Sequence, residues 1–262
     1  MNEVSVKVVL LAGGLGTRLG EYTNTIPKPM VQVGGKPILW HIMKTFAHYG
    51  HQEFIVCAGY RGDYIRQYFH DFEAMNTDFT VHIGQQIEKS THGVLEESGW
   101  VVTVAETGAE TMTGGRILRV KDYVGNETFM CTYGDGLANV DIAKLLAFHK
   151  SHGKLATMTS VRPVSRFGVL DLAEDSSVKS FEEKPQSEGW INAGYFIFEP
   201  QVFDYLETNS ILEREPLTKL AREGQLMAFK HEGFFQPMDT LREMMMLNEM
   251  WDSNKAPWKV WK

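Results

Sequence analysis

Apolar positions along the chain keep two rhythms, and each rhythm predicts an element. Val6 to Leu11 is a short, mostly apolar run rich in β-branched side chains, the pattern of a buried strand. A helical spacing follows over Lys36 to Tyr49, with apolar residues at 38, 39, 42, 43 and 46 and Gly50 as its stop. Phe54 to Ala58 predicts a second buried strand, and Gly62 to Phe72 a second helix. Trp100 to Ala105 and Thr128 to Thr132 predict further strands. Val140 to His152 repeats the helical spacing at 142, 145, 146 and 149 and closes at Gly153. Strand-like runs then crowd together at 155–161, 167–172, 178–182 and 193–198, and a late helix fits 239–252.

Strand and helix alternate over the first two thirds, as in βαβ units, so the class is α/β. Two stretches carry no clear period. Gly84 to Gly99 is polar and reads as a long loop or a hairpin near the site. Lys255 to Lys262 holds Pro257, Trp258 and Trp261, and two tryptophans in a charged end predict docking onto the domain itself or onto a partner chain. With no repeat and no low-complexity linker, one continuous domain over 1–262 is expected.

Composition narrows this in three ways. Hydrophobic residues make up 43% of 262 residues, enough for a large core and too many for disorder. A net charge of −7 argues against nucleic acid as a partner through bulk charge. Anions must then be met by locally placed cations and N–H groups. Cys57 and Cys131 each sit inside an apolar run and read as buried thiols rather than a disulfide, which suits a reducing cytoplasm. No signal peptide is visible and no apolar run is long enough to span a bilayer, so no membrane role is expected.

The candidate chemistry begins where the first strand ends. Leu11-Ala12-Gly13-Gly14-Leu15-Gly16-Thr17-Arg18, followed by Pro27-Lys28-Pro29, reads as a nucleoside-triphosphate site. Glycines there let backbone N–H groups approach phosphate oxygens, and Arg18 and Lys28 add two cations. Leu19 stands where a dinucleotide fingerprint needs its third glycine, and no Gly-Lys-Ser/Thr ends a Walker loop. Tyr133-Gly134-Asp135-Gly136 lies at the carboxyl end of a predicted strand, where open α/β sheets bind ligands. Asp135 there is either a Mg²⁺ ligand or part of an Asp-Gly turn. Asp239, in Pro237-Met238-Asp239-Thr240, is a second carboxylate and a natural helix cap. It joins Asp135 only if the two meet in space. Lys184, in Glu183-Lys184-Pro185, is a third cation beside a proline. Met112 to Arg116 pairs two glycines with an arginine near a predicted helix start. Asn192, two residues before Gly194, is a candidate donor to sugar hydroxyls. His48/His51 and His149/His152 read as polar helix ends, and no His/Cys cluster has zinc spacing.

Leu11 to Arg18 with Pro27-Lys28-Pro29 resembles the signature of the sugar-phosphate nucleotidyltransferases. The likeness extends over nearly the whole chain through Gly34 to His41, Arg166-Phe167-Gly168 and Glu183-Lys184-Pro185. Met112-Thr113-Gly114-Gly115-Arg116, Pro237 to Thr240 and Lys255-Ala256-Pro257-Trp258 resemble the cytidylyl-transferring branch in particular. Thr25-Ile26 and Val164-Ser165 depart from the family pattern. The resemblance implies a Rossmann-like three-layer α/β/α sandwich with a mixed central sheet, of nucleotidyltransferase type. It divides the chain into a nucleotide-binding half, 1–136, a sugar-phosphate half, 137–240, and a C-terminal helix and tail, 241–262.

It also implies the reaction: CTP and α-D-glucose 1-phosphate give CDP-glucose and pyrophosphate with Mg²⁺, feeding O-antigen sugars of lipopolysaccharide, in a homo-oligomer. By resemblance Leu11, Ala12, Gly13, Gly14, Gly16, Thr17, Thr111, Arg116 and Gly134 line the nucleotide, and Arg18 holds pyrophosphate. Lys28 neutralises the α-phosphate, and Asp135 and Asp239 hold the metal. Lys184, with Glu183, Asn192 and Gly194, meets the sugar phosphate. The rivals are thymidylyl or uridylyl transfer and a catalytically silent nucleotide sensor. A glycosyltransferase would carry an Asp-x-Asp motif, which this chain lacks.

Overall fold

Most of the apolar runs lie side by side in one sheet. In the computed structural model, which describes residues 5–14, 16, 19–20, 25–82, 88–164, 167–183 and 185–262 (backbone alone for 88–91), this sheet has seven strands. Numbered in chain order they are β1 (Val8–Leu11), β2 (Glu53–Ala58), β3 (Val101–Glu106), β4 (Phe129–Tyr133), β5 (Ala156–Val161), β6 (Ile191–Phe198) and β7 (Leu226–Lys230). Their order across the sheet is β7-β5-β6-β4-β1-β2-β3. Only β6 runs antiparallel to its neighbours, so the sheet is mixed. In register, Leu11 lies beside Cys57 on one side and Tyr133 on the other. The carboxyl ends of β1, β2 and β4 are therefore level, and the loops leaving them share one rim.

Side chains alternate between the two faces, and both faces are covered. Val8 and Leu10 point to a core shared with α1 (Ile38–His48), α2 (Gly62–His70), α4 (Ile142–His152) and α6 (Leu241–Asp252). Val9 and Leu11 point to a second core with α3 (Thr113–Arg119), the turn Pro200–Tyr205 and α5 (Glu215–Arg222). This is the expected three-layer α/β/α sandwich. Cys57 and Cys131 flank β1 as free, buried thiols. Among the described residues no helix is long and apolar enough to cross a membrane.

Several expectations are corrected. The runs at 167–172 and 178–182 are strands, as expected, but they lie outside the main sheet. They pair with each other as Val169–Leu172 and Val178–Glu182, a ribbon exposed on both faces. The segment at 84–99 is in part a hairpin, Asp78–His82 with Glu88–His92. None of its described residues lines the cleft described below. Instead Glu97 accepts from Trp40 Nε1 at 2.8 Å and Glu96 from Lys44 at 2.9 Å, both on α1. Helix α5 and strand β7 are not expected from the sequence: α5 is amphipathic but only eight residues long, too short for its period to stand out, and β7 is a half-exposed edge strand without clean alternation.

The tail docks onto its own domain. Trp258 is fully buried, and its Nε1 donates to His41 Nδ1 at 3.3 Å. Its ring stacks on Phe234 and Trp251, and Trp261 meets Trp40 edge-on. The partner-chain alternative for the two tryptophans is thereby lost.

Candidate active site

Lys28 lies on a single 3₁₀ turn, Lys28–Met30, set between Pro27 and Pro29. Met30 N–H donates to Pro27 at 2.8 Å and Val31 N–H to Lys28 at 3.1 Å, so the turn is closed by its own backbone. The two prolines have fixed φ, which leaves the lysine backbone little freedom. On the neighbouring strand end, Gly134 N–H donates to Leu11 at 3.0 Å. A Cβ at Gly134 would lie 3.1 Å from both the Leu11 carbonyl and Pro29, so glycine lets the lysine turn sit close to β4.

Asp135 and Asp239 are brought together by a short ribbon. Gly136–Ala138 pairs antiparallel with Phe235–Pro237, and Met238 N–H then donates to Asp135 O at 2.9 Å. Immediately after, Glu243 Oε2 accepts from the N–H groups of Asp239 at 2.7 Å and Thr240 at 2.8 Å. Thr240 Oγ1 accepts from Glu243 N–H at 3.3 Å, completing a capping box. The helix cap is therefore Thr240 and not Asp239, and the helix starts at Leu241 rather than 239. The Asp239 carboxylate turns to Lys28 instead. Lys28 Nζ donates to Asp135 Oδ2 and to Asp239 Oδ1, each at 2.6 Å. Burial works against the ammonium, but the attraction and hydrogen bonds of the two carboxylates outweigh it and hold its pKa above the ordinary value.

Arg116 is the second buried cation of the cleft. Its Nη1 donates to Thr107 Oγ1 at 2.6 Å and Gly108 O at 2.8 Å, and its Nη2 to Gly13 O at 2.8 Å and Ala109 O at 3.3 Å. The guanidinium thus ties the glycine-rich loop after β1 to the loop after β3. A Cβ on Gly13 or Gly59 would run into it. Burial, the main influence on it, lowers its pKa from the ordinary arginine value.

Leu11, Gly13, Gly14, Gly16, Lys28, Thr111, Arg116, Gly134, Asp135 and Asp239 all line one cleft. Ala12 is buried beneath it, with its N–H on Cys57 O at 3.2 Å. Thr17, Arg18 and Lys184 lie outside the described residues. Glu183 is exposed beyond the ribbon strand Val178–Glu182 and is absent from the lining. Asn192 and Gly194 do not line the cleft either. Asn192 Oδ1 accepts from Gly194 N–H at 2.7 Å, and its Nδ2 donates to the Tyr133 hydroxyl at 3.4 Å. Gly194, at φ +79°, leaves room for the Tyr133 ring. Both residues brace Tyr133, which does face the cleft.

The wall around Tyr133 is not legible in the sequence. Its hydroxyl donates to Glu213, which also accepts from Thr113 Oγ1 at 2.7 Å. Burial, reinforced by the Glu213 carboxylate, raises the Tyr133 pKa far above its ordinary value. Tyr133 opens the Tyr133-Gly134-Asp135-Gly136 stretch, but nothing local to it marks its ring as part of a wall. Glu213 had no signal, since it joins the wall only through the turn before α5. The pair His149 and His152 converges on the Thr157 hydroxyl, each at 2.8 Å, and His149 also meets Glu199, so these are hydrogen-bonded helix-end residues.

The two aspartates suit a hard divalent cation. Their oxygens converge on one ammonium, so both lie within reach of a single ion, and carboxylate oxygen is the donor such ions take. Among the described residues no cluster of three His, Cys, Asp or Glu side chains forms. The remaining ligands would then be phosphate and water oxygens, the usual state of a nucleotide-linked Mg²⁺.

Residues 7–232 match the nucleotidyl transferase family. A protein of Salmonella typhi named glucose-1-phosphate cytidylyltransferase is 49% identical over 259 residues, covering 98% of this chain and all of that protein. A Bacillus subtilis protein named probable glucose-1-phosphate cytidylyltransferase is 45% identical over 98% of this chain and all of that protein. Among solved structures, HddC from Yersinia pseudotuberculosis superposes with a TM-score of 0.67 at 27% identity, covering 94% of this chain and 99% of HddC.

Proposed function

This chain belongs to the nucleotidyl transferase family, in its glucose-1-phosphate cytidylyltransferase branch, and on that premise we propose that it makes CDP-glucose and pyrophosphate from CTP and α-D-glucose 1-phosphate. The observation that carries this reading is the full-length likeness to the Salmonella enzyme of that name. The geometry agrees with it. An oxygen of the sugar phosphate attacks the α-phosphorus of CTP, and the bond from that phosphorus to the bridging oxygen breaks in line. Pyrophosphate leaves with the electron pair. The nucleophile is already an anion, so no general base is needed.

The difficulty is charge. Two unit charges ~4 Å apart repel by about 4 kcal/mol at an effective dielectric near 20. Lys28, kept protonated at the floor of the cleft, is our candidate to offset the α-phosphate charge as it grows. Arg116 holds the two loops that line the nucleotide, Arg18 takes the leaving pyrophosphate, and Lys184 takes the sugar phosphate. Enzymes of this kind use a divalent metal. We assign it as Mg²⁺ on Asp135 and Asp239, where it would supply charge neutralisation and phosphate orientation. A cytoplasmic setting and a homo-oligomer complete the reading. Two buried free thiols support the first.

Turnover of glucose 1-phosphate with CTP, UTP, dTTP and GTP in turn tests the assignment. CDP-glucose should form with the highest kcat/KM. Preferred formation of UDP- or dTDP-glucose overturns the base assignment, and no product with any triphosphate points to a silent sensor.

A further inference from the structure

We propose that in the substrate-free protein Lys28 occupies the place of the divalent cation, so that the metal enters only with the nucleotide, whose phosphates receive the displaced ammonium. The proposal rests on the reading of Asp135 and Asp239 as the metal ligands. Lys28 Nζ sits 2.6 Å from one oxygen of each, and its side chain is largely buried. A Mg²⁺ held by the same two carboxylates needs oxygens at about 2.0–2.1 Å. It would lie against the ammonium, with two like charges sharing one anionic pair. The backbones that carry the two aspartates are fixed, so the pair does not widen by main-chain movement to take both cations. Asp135 is tied to Met238 across the ribbon, and the Asp239 backbone is fixed by Glu243 in the capping box.

The lysine is the part that can move. Its backbone is set by the Pro27 and Pro29 turn, but its stem has four rotatable bonds and lines the open cleft, so the ammonium can be redirected without moving the main chain. Swinging away from the aspartates without a phosphate to meet would strand a charge in a half-buried site. With a triphosphate bound, the ammonium gains a new anionic partner as the metal takes the carboxylates. Metal and nucleotide must then raise each other's affinity by the same factor.

Calorimetric Mn²⁺ titration tests this in wild type, Lys28→Gln, Asp135→Asn and Lys28→Gln/Asp135→Asn, without nucleotide. Lys28→Gln should bind Mn²⁺ at least tenfold tighter than wild type, and the double variant should lose that gain. Equal affinity in wild type and Lys28→Gln, with Asp135→Asn weakening wild type, overturns the exchange while leaving the metal site standing. A double variant that binds as tightly as Lys28→Gln overturns the metal-ligand reading itself. Should Lys28→Gln fail to fold, thermal unfolding of wild type decides. Mn²⁺ alone should leave the midpoint unchanged, and Mn²⁺ with a non-hydrolysable CTP analogue should raise it beyond the analogue alone. A rise with Mn²⁺ alone sinks the proposal.

Discussion

At the scale of single residues, Lys28 and Arg116 are both buried cations in one cleft, yet the geometry gives them different work. Lys28 faces two carboxylates and open space, so its charge can be delivered to substrate. Lys28→Ala should lower kcat by roughly 10²–10³-fold, the usual cost of one preorganised charge stabiliser, with a smaller change in KM for CTP. Steady-state kinetics showing an unchanged kcat and a raised KM would make it a binding group only. Arg116 spends its donors on carbonyls and a hydroxyl of the protein. Lysine cannot reproduce that fork, so Arg116→Lys should destabilise the fold by about 1–3 kcal/mol and raise KM for CTP. Normal denaturation with normal KM would contradict the tie. The same residue revises the reading of Gly13. Its lack of a side chain is legible in the sequence as room for phosphate, but the group that fills that room is the Arg116 guanidinium, from a helix far along the chain.

Among elements, the C-terminal tail is tied closely to α1. His41 is fully buried, with Nε2 on Val33 O at 2.8 Å and Nδ1 accepting from Trp258. Burial, helped by the nearby Lys36, pushes its pKa down to about 4. In the unfolded chain a histidine titrates near 6.5. Between these values the unfolded state takes up a proton that the native state refuses, so stability falls as pH drops from about 6.5 to about 4. One such group contributes about 2 kcal/mol of loss between pH 7.5 and 5. Urea midpoints at both pH values should show that extra loss in wild type and not in His41→Gln; identical losses would mean His41 does not titrate there. Trp258→Ala should cost about 3–5 kcal/mol, the range for deleting a large buried aromatic. A change under 1 kcal/mol in the same urea series would mean the tail is not docked.

For the whole molecule, tail docking changes what truncation should do. A chain ending at Asn254 loses the buried Trp258 and the nearly buried Trp261, so its melting temperature should fall by roughly 10 °C or more. If light scattering gives the full chain as an oligomer, the truncated chain should keep that state wherever it still folds. Dissociation on truncation would restore the tail as an interface. Support for the proposed homo-oligomer now comes instead from the ribbon Val169–Leu172 with Val178–Glu182. There Val169, Leu170, Leu172, Val178 and Phe181 stay exposed, and a lone two-stranded ribbon is marginal in water without a surface to pack against.

The class of fold, the cleft's position at the carboxyl ends of the first and fourth strands, and the charged residues at those ends were all legible in one dimension. Apolar period, turn glycines and strand ends are local properties, and local properties are written in consecutive residues. Pairings between distant segments are not. The meeting of Asp135 with Asp239 across a three-residue ribbon, their joint hold on Lys28, and the reach of Arg116 back to Gly13 depend on strand order and register. The choice of Trp258 between its own α1 and a neighbour depends on which apolar surface the folded sheet leaves uncovered. Tertiary structure decided these because each is a balance of burial and charge among groups the chain separates and only folding brings within contact.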